Sequence, residues 1–397
     1  MSTPIASNGG QDFDLTLLEN TRRPKAQAIT LPGAAYSSTQ LFALEQRSLF
    51  ARQWNCVGRA DEVPKPGDFV TRSAAGDSII LLRGQDQQIR AFFNVCRHRG
   101  SRLLDAPAGS ASPLLVCPYH AWSYDNTGHL CAAPQMSATF RKDDYGLVPV
   151  ATTLWNGLVF VNLDGRAPPF AAAVTDLPDL ARYRMAELQC GRHLEYEVQA
   201  NWKLLVENYS ECYHCPGAHP QLHKLTELVG RNERAVEVGA CFNGGPMRLR
   251  DGVQTMSGSG RSTMPLIPGL THEDARYVYY YVVYPNLLLS PHPDYVMMHT
   301  LVPVAPGRTR VVCEFLFYPD ALALPGFDPA DIVDFWHLTN TQDWALCERT
   351  QSATASRGFR QGPYSEVEDC VHLFDRWYAD QMVSAATGSV RRAGSPA

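Results

Sequence analysis

Two Cys-His pairs lie close together in this sequence, Cys96 with His98 and Cys117 with His120. The first half-site reads C-x-H and the second C-x-x-H. Each ends a short apolar run, F-F-N-V or L-L-V, and each is followed by a break in pattern, as two loop tips held out by sheet strands would read. Two thiolates and two imidazoles can bind zinc tetrahedrally. They can also bind a [2Fe-2S] cluster, with both Cys on one iron and both His on the other. A zinc finger pairs Cys with Cys and His with His. Here each half-site mixes the two, so each loop would give its Cys to one iron and its His to the other.

A second set lies downstream in N-W-K-L-L-V-E-N-Y-S-E-C-Y-H-C-P-G-A-H, residues 201–219. The pattern predicts a helix from Asn201 through Cys215. Lys203, Glu207, Glu211 and His214 fall at i, i+4, i+8 and i+11, a polar stripe opposite Trp202, Leu205, Val206 and Tyr209. Most such stripes are solvated faces. The Pro216-Gly217 break, however, lets the chain turn back, so that His214 and His219 converge. A long helix opening at Asp328-Pro329 and running to about residue 355 carries Asp343 on the face of Trp336, Leu346 and Cys347. A carboxylate there needs a cation or a hydrogen-bond network. Two imidazoles and one carboxylate with open coordination positions form the facial triad of non-haem iron chemistry. Spacing alone does not bring Asp343 to the His pair. His223 competes as a ligand, and Cys212 and Cys215 make a C-x-x-C that either packs or reads as a zinc or redox site.

These residues need strands and helices to hold them. At 397 residues, 45% of them apolar, the chain is long enough for two domains. Residues 1–46 read as an arm and a helix, with 39–54 helical through Leu41, Leu44 and Leu49. Residues 47–164 carry short β-rich runs parted by Gly, Asp and Asn turns, a small mostly β domain bearing the first set. Residues 165–397 alternate strands with the two helices above and a last helix over about 366–382, an α+β pattern. The first dozen residues and the tail from 385 read as disordered. Net charge is −5 without a basic run, which gives nucleic-acid or anionic-membrane binding no support. No signal peptide or membrane-length apolar run is visible, and the eleven scattered cysteines fit a cytoplasmic chain with reduced thiols.

The first set resembles the Rieske cluster motif. The second resembles the catalytic motif of Rieske non-haem iron oxygenases, in which N-W-K leads to E-N, an acid, a His and a second His. The resemblance runs from about residue 41 to 382. It implies an all-β Rieske [2Fe-2S] domain and a helix-grip catalytic domain, an antiparallel sheet with a long C-terminal helix. Carried over, Cys96, His98, Cys117 and His120 hold the cluster, and His214, His219 and Asp343 hold a mononuclear Fe(2+). Asn208 is the residue of the E-N pair. Glu211 stands where an acid bridges the cluster of one subunit to the iron of its neighbour; most members have Asp there. V-C-R-H-R-G-S-R-L, L-V-C-P-Y-H, E-N-x-x-E-C-Y-H-C and a late G-P-Y-S at 362–365 are closer to the quaternary-ammonium branch, the glycine betaine and stachydrine demethylases, with carnitine and choline monooxygenases further off.

The resemblance implies an oxygenase component that uses O2 and outside electrons to hydroxylate an N-methyl group, with loss of formaldehyde. No G-x-G-x-x-G after a strand and no plant-type C-x4-C-x2-C is visible, so a separate flavin or iron-sulfur reductase drawing on NAD(P)H is expected. A homotrimer is expected by resemblance. A cationic substrate needs aromatic faces, and Phe242, Tyr281, His292 and Tyr295 are the candidates, with Tyr279 and Tyr284 beside them. Two other readings compete: a Rieske oxygenase acting on an aromatic or other non-betaine substrate, and a Rieske electron-transfer or ligand-binding protein without oxygenase chemistry.

Overall fold

The computed structural model describes residues 13–111, 113–173, 180–227 and 236–387. The first dozen residues and 388–397, where disorder was expected, lie outside these; residues 385–387 end the last helix. The N-terminal part holds β1 (Asn55–Arg59), β2 (Asp68–Ala74), β3 (Asp77–Arg83), β4 (Ile89–Phe93), β5 (Ala108–Ser110), β6 (Leu115–Val116), β7 (Ser123–Tyr124), β8 (Leu130–Ala132), β9 (Pro149–Trp155) and β10 (Leu158–Asn162). One sheet runs in the order β1-β10-β9-β4-β3-β2-β5, and β6-β7-β8 form a small second one. β9 and β10 pair as a hairpin closed at residues 156–157. Asn156 and Gly157 both take positive φ there, the two-residue turn that matches strand twist.

The C-terminal part is built on β11 (Gln189–Val198), β12 (Glu237–Val238), β13 (Phe242–Arg248), β14 (Tyr277–Val283), β15 (Leu287–Pro291), β16 (Val296–Ala305) and β17 (Arg308–Phe317), ordered β11-β17-β16-β15-β14-β13-β12 and antiparallel throughout. The helices are α1 (Ala34–Ser37), α2 (Thr39–Glu45), α3 (Phe170–Ala173), α4 (Trp202–Tyr209), α5 (Cys215–Ala218), α6 (Pro220–His223), α7 (Pro319–Leu322), α8 (Ala330–Thr354) and α9 (Asp369–Thr387). A π-helical turn over Gln46–Phe50 continues α2. α8 starts one residue later than its sequence suggested, with Pro329 and not Asp328 at the N-cap position; Asp328 Oδ1 still accepts from the Ala330 N–H at 2.9 Å.

The second sheet is apolar on both faces, and strand alternation assigns each residue to one of them. Tyr279, Tyr281, Leu289 and Met298 pack with Leu158 and Phe160, the face toward the first sheet. Val282, Leu288 and Leu301 pack with Trp202, Leu205, Trp344 and Phe374 of α4, α8 and α9. The functional cavity opens on this helical face.

The polar stripe expected on the second-set helix is not solvated. Lys203 is fully buried, its Nζ 2.6 Å from Glu45 Oε1. Glu45 also accepts from Trp202 Nε1 at 3.0 Å and from Tyr378 OH at 2.6 Å. A buried ion pair persists only when its remaining hydrogen-bonding capacity is met, and these contacts tie α2, α4 and α9 together. Among the described residues no helix is long and apolar enough to cross a membrane.

Candidate metal centres and active site

The two Cys-His loops fold alike. Cys96 donates its N–H to Ser101 O and accepts from the Gly100 N–H; Cys117 donates to Trp122 O and accepts from the Ala121 N–H. The closing residue has positive φ in both loops, 72° at Gly100 and 58° at Ala121. Each turn therefore buries its sulfur and presents its imidazole outward. Cys96 and Cys117 are buried, and His98 and His120 are half-buried. The two Nδ1 atoms stand 3.1 Å apart. His98 stacks on Trp122, ring centroids 4.8 Å apart, which fixes its plane. Burial pushes the Cys117 thiol up, but backbone N–H groups of Tyr119 and His120 aimed at its sulfur bring it below its ordinary value. Burial likewise lowers the His120 imidazole. Burial holds the Cys96 thiol above its ordinary value, so the fit rests on the donor set: two sulfurs and two imidazoles on paired loop tips suit a cluster with two sulfur and two nitrogen ligands.

The second site is assembled from three elements. α4 ends at Tyr209, and Ser210 Oγ bonds back to Val206 O at 2.6 Å. The helix expected through Cys215 therefore stops earlier. Glu211 Oε2 takes the backbone N–H of Tyr213 and, at 3.1 Å, that of His214, opening a new turn instead of extending the old one. Cys212 and Cys215 are joined by a disulfide across this turn, so neither offers a thiolate to a metal. His214 precedes α5 and His219 joins α5 to α6, and the ring centroids come within 5.1 Å.

Asp343 on α8 completes the group. Its Oδ1 lies 3.3 Å from His214 Nε2 and 2.8 Å from His219 Nε2. The three prospective ligand atoms all fall within 4.8 Å of one another; His223, the competitor by spacing, is outside the group. The other ring nitrogens are held by carbonyl or carboxylate oxygens, which only accept here. Glu211 Oε1 is 2.5 Å from His214 Nδ1, and Gln342 Oε1 is 2.8 Å from His219 Nδ1. Both imidazoles are thus fixed with Nδ1 protonated and Nε2 turned to the centre. Burial lowers the His214 imidazole, but hydrogen bonds to Asp343 and Glu211 outweigh it and hold it at about 9. Burial raises the Asp343 carboxyl, and the two imidazoles pull it below its ordinary range. Without a metal the carboxylate is satisfied only by protonated imidazoles; a divalent cation would replace those protons. Two imidazole nitrogens and a carboxylate with room for further ligands fit iron of the facial-triad kind.

The protein-family model described as ring hydroxylating alpha subunit (catalytic domain) matches residues 185–384, and the Rieske [2Fe-2S] domain model matches 53–152. The chain is a Rieske non-haem iron oxygenase. Its cofactors are a Rieske [2Fe-2S] cluster and a mononuclear iron. It is 34% identical over 384 residues to the glycine betaine monooxygenase oxygenase subunit of Chromohalobacter salexigens, covering 89% of this chain and 86% of that one. It is 39% identical over 216 residues to the carnitine monooxygenase oxygenase subunit of Escherichia coli, covering 52% of this chain and 56% of that one. The solved quaternary ammonium Rieske monooxygenase CntA superposes with a TM-score of 0.78 at 25% identity, covering 94% of this chain and 100% of that one.

Beside the triad the oxygenase has a cavity of about 320 Å³. Tyr209, Tyr280, Trp336, Trp344 and His299 line it, as do Asn208 and Glu211, and the described lining contains no Lys or Arg. The four pocket residues expected from sequence are not in this lining. Phe242 and Tyr281 are on the opposite face of the sheet. Tyr295 lies in the core, where its OH donates to Met256 O at 2.7 Å, and His292 stacks on it at 4.3 Å. Tyr279 sits with Tyr281, and Tyr284 stacks on Trp377. Tyr280, between two tyrosines on the opposite face, is the tyrosine of this strand that reaches the cavity. A one-residue phase error turns a side chain to the other side of a sheet, and V-Y-Y-Y-V-V gives no phase because both faces are apolar. Gln342, the partner of His219, also went unread; its place directly before Asp343 was the available signal.

Proposed function

We propose that this oxygenase hydroxylates an N-methyl group of a betaine-type quaternary ammonium compound, and that the hydroxylated product releases formaldehyde and leaves a demethylated amine. The observation that carries this reading is the cavity: four aromatic rings and no described Lys or Arg around a space next to the triad. A cation over an aromatic face gains about 0.5–2 kcal/mol per contact once desolvated, so this lining favours a fixed positive charge that has no proton to lose. The names of the relatives above point to the same substrate class.

Cys96, His98, Cys117 and His120 are the residues that would hold the cluster, and His214, His219 and Asp343 those that would hold the iron. When bound, the cluster supplies electrons singly and the iron supplies O2 activation. Glu211 and Gln342 keep the two imidazoles in the ligating tautomer. Tyr209, Tyr280, Trp336 and Trp344 would orient the ammonium group, while Leu222, Met247, Val282 and Met297 keep water from the methyl group. Electrons would come from a separate NAD(P)H-dependent reductase. The working unit would be a homotrimer in which the half-exposed His98–His120 edge meets Glu211 of the next subunit. Exposed Val95, Val116 and Tyr119 beside the cluster loops and Tyr213 beside Glu211, 65% exposed, support such a contact.

The test is turnover of the purified oxygenase with a reductase, NADH and a panel of betaines, carnitine, choline and aromatic acids. Formaldehyde released in step with a product lighter by one methylene is expected. An aromatic cis-diol, with every quaternary amine left intact, would overturn the reading.

A further inference from the structure

The cavity wall holds buried polar atoms that no protein group satisfies. Neither ring nitrogen of His299 has a hydrogen-bond partner, and the same is true of Trp344 Nε1 and Tyr280 OH. All three residues line the one cavity. Their placement follows from the sheet register. Val282 pairs with Leu288 and Leu288 with His299, so His299 shares a face with Val282 and, two residues earlier on β14, with Tyr280. Trp344 follows Asp343 on α8, and its ring centroid is 6.1 Å from that of His299. Tyr209 bridges the wall, 6.4 Å from His299 and 5.9 Å from Tyr280. His299 is 2% exposed and Trp344 8%. Asn340 is near enough to His299 to share a hydrogen bond with one ring nitrogen, although its amide is turned to Cys313 Sγ at 3.9 Å; the other ring nitrogen is left without a protein group either way.

A buried donor left unmade costs about 1–3 kcal/mol, so several around one space point to a ligand that completes them. An indole N–H and a phenol O–H donate, and an imidazole has at least one N–H. Such a group calls for an acceptor oxygen on the ligand. With no described Lys or Arg in the lining, that oxygen is received by neutral donors.

We propose that His299, with Trp344 and Tyr280, forms the subsite for the oxygen function of the substrate, a carboxylate or hydroxyl close to the quaternary nitrogen, and that His299 determines specificity for it. This rests on the quaternary-ammonium reading and adds to it a requirement for an oxygen. His299 is a positioning residue: it selects and orients the substrate, and the chemistry stays at the methyl group.

The experiment is equilibrium binding of glycine betaine, choline and tetramethylammonium to the holoenzyme, to His299→Leu, to His299→Gln and to Trp344→Phe. Melting temperature and cluster absorbance serve as folding controls. The wild type should bind an oxygen-bearing ligand more tightly than tetramethylammonium. His299→Leu should weaken that ligand about tenfold, the scale of one neutral hydrogen bond, and change tetramethylammonium by less than about twofold. His299→Gln should recover part of the loss, and Trp344→Phe should reproduce it in smaller measure. Equal weakening of all ligands by His299→Leu makes His299 a purely structural residue and overturns the proposal. An unchanged preference means that water, not substrate, meets these donors, and overturns it too while leaving the quaternary-ammonium reading intact. If the wild type binds none of the three, that reading itself fails and takes this one with it.

Discussion

Replacing Glu211 by Gln probes the turn that holds the mononuclear site. The carboxylate works with both oxygens: Oε1 holds His214 Nδ1 at 2.5 Å, and Oε2 takes the backbone N–H groups of Tyr213 and His214. Gln has nearly the same shape but only one accepting oxygen. Whichever way the amide turns, its NH2 faces either the Nδ1–H of His214 or the two backbone N–H groups. One set is lost, and the negative charge that makes His214 a more basic ligand goes with it. A hydrogen bond to a charged group contributes about 1.5–3 kcal/mol, and loss of such an outer partner lowers metal affinity about 10- to 100-fold. Each tenfold step is about 1.4 kcal/mol, so the two estimates agree. The assay is equilibration of the holoenzyme with graded chelator, reading retained mononuclear iron by metal analysis and the cluster by its visible absorbance. The midpoint for mononuclear iron should fall to about one tenth to one hundredth of the wild-type chelator concentration, with the cluster unaffected. An unchanged midpoint would refute this account of Glu211. If turnover nevertheless slowed, the residue's role would lie in electron arrival alone.

Three further outcomes follow from the geometry. Asp343→Ala should drop iron from about three to about two atoms per chain while keeping the cluster spectrum and abolishing turnover; full iron with normal turnover would remove Asp343 from the ligand set. Lys203→Met strands the buried Glu45 carboxylate and should cost about 3–5 kcal/mol, seen as a lower unfolding midpoint; adding Glu45→Gln should restore much of it, and a single variant as stable as wild type would contradict the burial argument. Burial pushes the His292 imidazole down to about 3, so the unfolded chain, with its ordinary value of about 6.5, gains a proton first as pH falls and the fold loses stability from about pH 6.5 toward pH 3. His292→Phe should remove about 2 kcal/mol of that loss between about pH 8 and pH 5. Burial raises the Asp294 carboxyl to about 6, which stabilises the fold as pH falls over part of that range, so the variant must be compared with wild type at each pH; a constant difference would refute the assignment.

The metal chemistry was legible in the sequence because it depends on residue type and local spacing. Cys96 with His98 and Cys117 with His120 are each prospective ligands on one tight turn, and the paired turns repeat the same backbone closure. His214 and His219 also lie within a single short segment. The start of α8 was readable to within a residue for the same reason, since Asp328 and Pro329 are local signals. The fate of Lys203 was not. A helical stripe of charges reads as solvated until α2 and α9 arrive to cover it, and Glu45 and Tyr378 lie far away in the chain. The helix through Cys215 failed because Glu211 spends its carboxylate on the backbone, a competition that propensity does not anticipate.

By itself the sequence determined which atoms could bind metal, in what chemical form, and on which two parts of the chain. Only the tertiary structure decided what meets what. It brought Asp343 of α8 to the His pair and left His223 out, and it joined Cys212 to Cys215. It also chose which aromatic residues face the cavity. In a strand buried on both sides, every residue is apolar whichever way it points, so the pattern carries no phase. Tyr280 faces the cavity, and Tyr279 and Tyr281 the core, because the register with β13 and β15 sets the side of the sheet on which each falls.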